Sequence, residues 1–196
     1  EFLGARGKIL VCRLIHENKE KFSERKPHLR PGFHPSSLQP KLARALINLA
    51  NVPLGGTIAD PFCGTGGIML EAALLGCKVV CSDISDEQVE FCTMNLKHFK
   101  IKSYECFVAD ATKVKIDADA VVTDPPYGCC ASLCNSDREK LYSKFLDNAY
   151  KQLRKGSRVV MMFPNKVRVK SKFKIIAEVD HYMHQSLTRH IIVFEK

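Results

Sequence analysis

The chain has 196 residues with a formal net charge of +9, 45% hydrophobic and 26% charged, which suits one domain with a sizeable core and little more. No run approaches the length of a membrane span, and the start lacks the basic-then-apolar pattern of an export signal, so spanning and secreted readings are set aside. Its nine cysteines are an odd number with no C-x-x-C among them, which removes the usual zinc and thioredoxin spacings and fits a reducing, cytoplasmic compartment.

Charge is unevenly placed. Residues 1–50 carry ten Lys/Arg against four acids, 51–150 carry nine against fourteen, and 151–196 carry eleven against three. A basic head and tail flanking an acidic middle is a footprint that suits a polyanion such as nucleic acid. The first residue is Glu1 rather than Met, which reads as an excised fragment.

After residue 50 the pattern is strand then helix, repeated. Residues 57–61 form a strand leading into a glycine-rich turn, and 68–75 a helix stopped by Gly76. Residues 78–82 form a strand closing on Asp83. Ser85-Asp-Glu-Gln88 then has the form of a capping box that opens a helix reaching about Phe99. Strands at 105–109 and 118–123 end at Asp110 and Asp124. In the helix at 138–154, Leu141, Phe145, Ala149 and Leu153 fall four apart on one face. A wholly apolar strand, after its first residue, occupies 158–163, and strands at 174–179 and 189–194 are joined by a turn. This alternation predicts an α/β fold, a mostly parallel sheet with helices on both faces.

In such sheets ligands gather beyond the carboxyl ends of the strands. Four successive strand ends here carry an acid: Asp60, Asp83, Asp110 and Asp124. The turn after Asp60 reads DPFCGTGG. It lacks the lysine and hydroxyl residue of a P-loop, and its glycines do not follow the dinucleotide spacing G-x-G-x-x-G. Glycines let a ligand approach the backbone, and Asp60 supplies negative charge beside a positive centre. Asp83 is spaced to accept hydrogen bonds from both hydroxyls of a ribose, and Asp110 from an adenine amino group. A ligand with adenine, ribose and a sulfonium meets all three requirements: S-adenosylmethionine.

DPFCGTG, SDIS, ADAT and TDPPYG, in this order, resemble the amino-methyltransferase branch of the class I, Rossmann-like methyltransferases. RPGFHPSSLQPKLARALINLA, DPFCGTGGIMLEAALLG and SLTRHIIVFE resemble the tRNA guanosine-10 N2-methyltransferases, the archaeal type in particular. The likeness runs from about Glu24 to the end. It implies a seven-stranded sheet with an antiparallel C-terminal hairpin, a catalytic domain at 29–196, and residues 1–28 as a linker from an upstream RNA-binding THUMP domain. It also implies that Phe33, His34 and Pro35 line the methionine end of the cofactor. Asp60, Gly64 and Gly66 would form the cofactor loop, Asp83 with Ile84 the ribose contacts, and Asp110 with Ala111 the adenine contacts. The substrate expected is tRNA, held by the basic end segments. Eukaryotic relatives work with a small zinc-binding activator subunit, which makes such a subunit a candidate partner.

The catalytic candidates are Asp124, Pro125, Pro126 and Tyr127. An exocyclic amine is a poor nucleophile while its lone pair is delocalised into the base. If the Asp124 carboxylate and the Pro125 carbonyl accept its N–H bonds, the nitrogen can pyramidalise. The prolines stiffen the acceptors, and Tyr127 offers a face on which an extruded base can stack. Asp124 also borders the cofactor. Guanine N2 and adenine N6 both fit this chemistry, so N6-adenine methylation of DNA or RNA is the nearest rival, and a non-catalytic cofactor-binding scaffold is the rival from another class.

Weaker signals are left outside the site. Cys129, Cys130 and Cys134 have no second ligand cluster nearby, and the reading expects no metal site; they fall to a loop beside the base pocket. His181 and His184 read as surface residues of a turn. The basic alternation at 165–174 fits a phosphate-binding row and a soluble sheet edge equally.

Overall fold

The computed structural model describes residues 2–5, 7–13, 15, 17–127, 135–164, 167, 169–184 and 187–196. The architecture is a seven-stranded sheet in the order β5-β4-β3-β6-β7-β9-β8 with helices on both faces, as expected from sequence. Its strands are β3 (Thr57–Asp60), β4 (Lys78–Asp83), β5 (Tyr104–Val108), β6 (Ala120–Thr123), β7 (Arg158–Phe163), β8 (Lys174–His184) and β9 (Leu187–Glu195). The pairs from β5 through β7 are parallel, and β9 is antiparallel to both β7 and β8. A separate two-stranded hairpin, β1 (Phe2–Ala5) with β2 (Lys8–Val11), precedes it.

The apolar run of β7 shows why two cores form. Val160 and Met162 join one cluster, and Val159, Met161 and Phe163 the other, because successive strand side chains point to opposite faces. The first face is covered by α1 (Pro40–Ala50), α2 (Gly67–Leu74) and α3 (Asp86–His98), contributing Leu46, Ile47, Met69, Leu70, Cys92 and Leu96. The second is covered by α4 (Asn135–Gln152), contributing Tyr142, Phe145, Leu146 and Ala149. Fully burying each such Leu, Phe or Met stabilises the fold by about 1.5–3 kcal/mol.

Helix boundaries follow local chemistry. The Ser85 hydroxyl accepts from the Gln88 N–H at 3.4 Å and caps α3, while the Ser85 N–H donates to Asp83 rather than to Gln88, so half of the expected capping box forms. Helix α1 was not anticipated from sequence. Pro40 occupies its first turn, and Asn51 ends it in a left-handed conformation at φ 52°. Strand β8 runs on through His184, so His181 lies in a strand and pairs with Arg189 instead of sitting in a turn.

Part of the segment ahead of the sheet is docked on it. Glu71 of α2 is fully buried and accepts from Arg25 Nε at 2.7 Å and Arg44 Nη2 at 2.8 Å, while Arg25 also donates to Glu20 at 2.9 Å. Removing one partner of such a buried pair costs about 3–5 kcal/mol. Residues 20–25 are therefore anchored to the helical face.

Candidate active site

Because β5, β4, β3 and β6 are parallel neighbours, their carboxyl ends bring the four acids to one edge in the spatial order Asp110, Asp83, Asp60, Asp124. Two adjoining cavities of about 380 and 310 Å³ open there and share His34, Ser36, Phe62, Gly64, Gln88, Asp124 and Pro126 as lining. The first also reaches Asp60, Pro125 and Tyr127. The second reaches Asp83, Ile84, Asp110 and Ala111. Together they form one cleft along the strand ends.

The loop after β3 is built around its glycines. Gly66 adopts φ 78°, caps α2, and leaves room for Cys92, whose Sγ would lie 2.5 Å from an added Cβ. Gly64, at φ 49°, would place a Cβ no nearer than 3.8 Å to Gln88, in the open cleft. Its N–H donates to Asp83 Oδ2 at 2.9 Å, and Asp83 Oδ1 accepts from Ser85 N–H at 3.1 Å. Each Asp83 oxygen thus keeps a further lone pair for a ligand hydroxyl. Asp110 bends back on itself: its Oδ1 accepts both the Thr112 hydroxyl at 2.7 Å and the Thr112 N–H at 2.9 Å, leaving Oδ2, among the described residues, with only Lys113 at 3.5 Å. Those Thr112 bonds, the hydroxyl first, hold Asp110 below the usual carboxylate range.

Asp60 and Asp124 behave differently because Asp60 is buried and Asp124, though half-buried, has one carboxyl oxygen enclosed. Asp60 is 1% exposed and accepts Thr123 Oγ1 at 2.6 Å and Phe62 N–H at 3.1 Å. Burial pushes it up to about 7; the two hydrogen bonds oppose this, and the charge of Asp83 adds to it. Asp124 Oδ1 is buried with no hydrogen-bond partner among the described residues. Burial pushes Asp124 up to about 8, Arg189 pulls it down, and Asp60 raises it further. An orphaned buried carboxylate oxygen beside an open cavity is a poised acceptor.

The backbone of the D-P-P-Y segment is sorted by its partners. Tyr142 donates its hydroxyl to the Pro126 carbonyl at 2.9 Å, and Arg138 donates to the Tyr127 carbonyl at 2.6 Å. Among the described residues nothing donates to the Pro125 carbonyl, which stands beside Asp124 in the same cavity lining. The Arg189 guanidinium lies 3.8 Å from the Tyr127 ring centroid, a stacked cation–π contact that covers one ring face.

His34 is brought to the cleft, held by a 2.7 Å contact with Ser36, whereas exposed Phe33 and Pro35 are not part of either lining. Ile84 is 77% exposed yet lines the cleft beside Asp83. Cys129, Cys130 and Cys134 lie outside the described residues. Several site residues escape the sequence reading. Thr123 holds Asp60, and the Ser37 hydroxyl meets that of Thr65 at 2.8 Å, tying the His34 segment to the glycine loop. Gln88 lines both cavities and Arg189 covers Tyr127. All of them lie in motif stretches, Thr123 in TDPPYG, Thr65 in DPFCGTGG, Gln88 in the capping box, and Ser37 and Arg189 in the family-like segments, yet no local pattern names their partners.

Residues 27–183 match the family model described as "UPF0020: RMKL-like, methyltransferase domain". The chain is 44% identical over 194 residues to the tRNA (guanine(10)-N2)-dimethyltransferase of Methanothermobacter thermautotrophicus, covering 96% of this chain and 58% of that one. It is 37% identical over 186 residues to the enzyme of the same name from Pyrococcus abyssi, covering 90% and 55%. The chain therefore spans little more than half the length of these relatives. Among solved structures, TrmN from Thermus thermophilus superposes with a TM-score of 0.72 at 26% identity, over 83% of this chain and 50% of that one.

Proposed function

From the premise that the chain belongs to the RMKL-like methyltransferase-domain family, within the Rossmann-like methyltransferases, we propose that it methylates the exocyclic N2 amine of a guanine in tRNA, at position 10, with S-adenosylmethionine as donor. The observation that carries this reading is the pairing of Asp124 Oδ1 with the Pro125 carbonyl, both without a donor among the described residues, while the next two carbonyls are already occupied.

The cleft fits the cofactor. Asp83 has lone pairs left for the two ribose hydroxyls, and Asp110 Oδ2 is available to an adenine amino group. Ile84 gives the adenine an apolar neighbour, and the open side of Gly64 admits the ligand to the backbone. His34, Asp60 and Thr65 border the other end, where the methionine part belongs. When bound, S-adenosylmethionine supplies a methyl group made electrophilic by its sulfonium.

The chain's own residues prepare the amine. Asp124 and the Pro125 carbonyl each accept one N–H, which pulls the nitrogen out of conjugation and directs its lone pair. Tyr142 and Arg138, by holding the following carbonyls, keep the segment from rotating, so the acceptors stay oriented. A carboxyl that changes charge near neutrality is also suited to take the proton released. The Tyr127 face not covered by Arg189 is assigned to the base. The basic segments at 1–50 and 151–196 are assigned to tRNA phosphates, in a cytoplasmic protein whose residues 1–28 link to an upstream RNA-binding domain. Among the described residues no helix is long and apolar enough to cross a membrane.

The test is product identity. The protein is incubated with S-adenosylmethionine and unmodified tRNA, and the RNA is digested to nucleosides. N2-methylated guanosine, lost when guanosine 10 is replaced, is expected. N6-methyladenosine, or no methylated nucleoside, would overturn the reading.

A further inference from the structure

Cys63 of the cleft loop, Cys92 of α3 and Cys106 of β5 place their Sγ atoms all within 4.8 Å of one another. A fourth thiol joins them. Cys81 of β4 is the register partner of Cys106, and its side chain lies in the same buried cluster as those of Cys63 and Cys92, against which Cys106 packs. All four are reduced; Cys63, Cys81 and Cys92 are buried and Cys106 is partly so. A reduced cysteine in a core ordinarily packs as a small hydrophobe. Packing alone, however, does not require sulfurs from a loop, a helix and a strand to converge within 4.8 Å, with a fourth cysteine on the neighbouring strand.

We propose that Cys63, Cys81, Cys92 and Cys106 form a metal site that binds one zinc ion as four thiolates. Zinc–sulfur bonds of about 2.3 Å in a tetrahedron set the sulfurs about 3.8 Å apart. The three sulfurs within 4.8 Å reach that spacing by closing about 1 Å or less, within side-chain rotation. A tetrahedral set of four sulfurs selects zinc over oxygen-seeking ions such as magnesium or calcium. Binding releases four thiol protons to solvent, forms four sulfur–metal bonds and changes no oxidation state. The ligands are spread over 44 positions on four elements, so no C-x-x-C spacing announces them.

The position gives the site a purpose. Cys63 lines the cleft together with Phe62 and Gly64, and the α3 sulfur of Cys92 packs directly behind Gly66. A metal here would join the glycine loop, the neighbouring strands β4 and β5, and α3 at one point. It would fix the glycine loop where that loop borders the cleft.

The test uses the whole chain, stripped of metal with a chelator under reducing conditions and then titrated with zinc, cadmium or cobalt alone. One ion per chain, a thiolate-to-cadmium charge-transfer band, and a higher melting temperature on zinc addition are expected. Cys106→Ser or Cys92→Ser should weaken zinc binding about 100-fold or more, while Cys77→Ser and the triple serine variant of Cys129, Cys130 and Cys134 leave it unchanged. Should a serine variant fail to fold, the cadmium spectrum and stoichiometry of the unaltered chain decide. Substoichiometric binding, a disulfide among the four cysteines, or binding abolished by the triple variant instead would overturn the proposal. Methyl transfer is not part of the readout, so failure here leaves the functional reading intact.

Discussion

Thr123 Oγ1 donates a 2.6 Å hydrogen bond to Asp60 Oδ1, joining the last residues of β6 and β3 at the point where the sheet meets the cleft. Both residues are buried, at 0% and 1% exposed, so water cannot replace the bond. Thr123→Val keeps the shape and removes the donor. It should cost about 1.5–3 kcal/mol in urea unfolding, the range for a bond to a charged group, while Thr123→Ser stays near the parent. Loss in Thr123→Ser with none in Thr123→Val would mean the methyl, not the hydroxyl, matters.

Asp124 gives stability a pH signature. Its folded value of about 8 lies above the unfolded carboxylate value. Between those two values the native state holds a proton that the unfolded state releases, so stability falls as pH rises. Asparagine cannot ionise. Asp124→Asn should therefore match the parent near pH 4 and become the more stable protein by about 1–3 kcal/mol near pH 8.5. Denaturation at the two pH values checks this. A constant difference would remove burial as the cause of the shift.

The two glycines of the loop should fail in different ways. Gly66→Ala meets Cys92 Sγ at 2.5 Å and sits at φ 78°, so a loss of about 2–4 kcal/mol is expected. Gly64→Ala, with nothing nearer than 3.8 Å, should lose about 1–2 kcal/mol of backbone energy. It should nevertheless bind S-adenosylhomocysteine far more weakly, because its new methyl stands in the cleft. Melting curves beside calorimetric titration separate the two.

Arg189 acts on Asp124 through charge and on Tyr127 through stacking. Without it Asp124 ionises at still higher pH. Arg189→Ala should shift the pH–rate profile for methyl transfer to the alkaline side, and Arg189→Lys should recover part of the shift. A profile that keeps its midpoint while losing height would assign Arg189 to substrate binding alone.

Much of this fold is legible because its rules are local. Periods of two and of about four residues, Gly76 after α2 and Ser85 before α3 give the elements and their order. The acids at Asp60, Asp83, Asp110 and Asp124 announce the sheet edge because parallel strands necessarily bring their carboxyl ends together. What stays hidden is contact between distant segments. Thr123 reads as one more β-branched strand residue until Asp60, 63 positions away, is seen to need its hydroxyl. Arg25 looks like linker charge until Glu71 appears buried beneath it. Helix α1 is harder to hear because Pro40 and the preceding Pro-Ser-Ser sound like a loop, although Pro40 in the first turn is itself a helix signal.

Methyl transfer by this route depends on Asp124 preparing the target amine. Its most direct test is single-turnover methyl transfer to tRNA by Asp124→Ala, measured beside S-adenosylmethionine binding by the same protein. Transfer should vanish while cofactor affinity stays nearly unchanged. Turnover at a rate close to the parent would contradict the account.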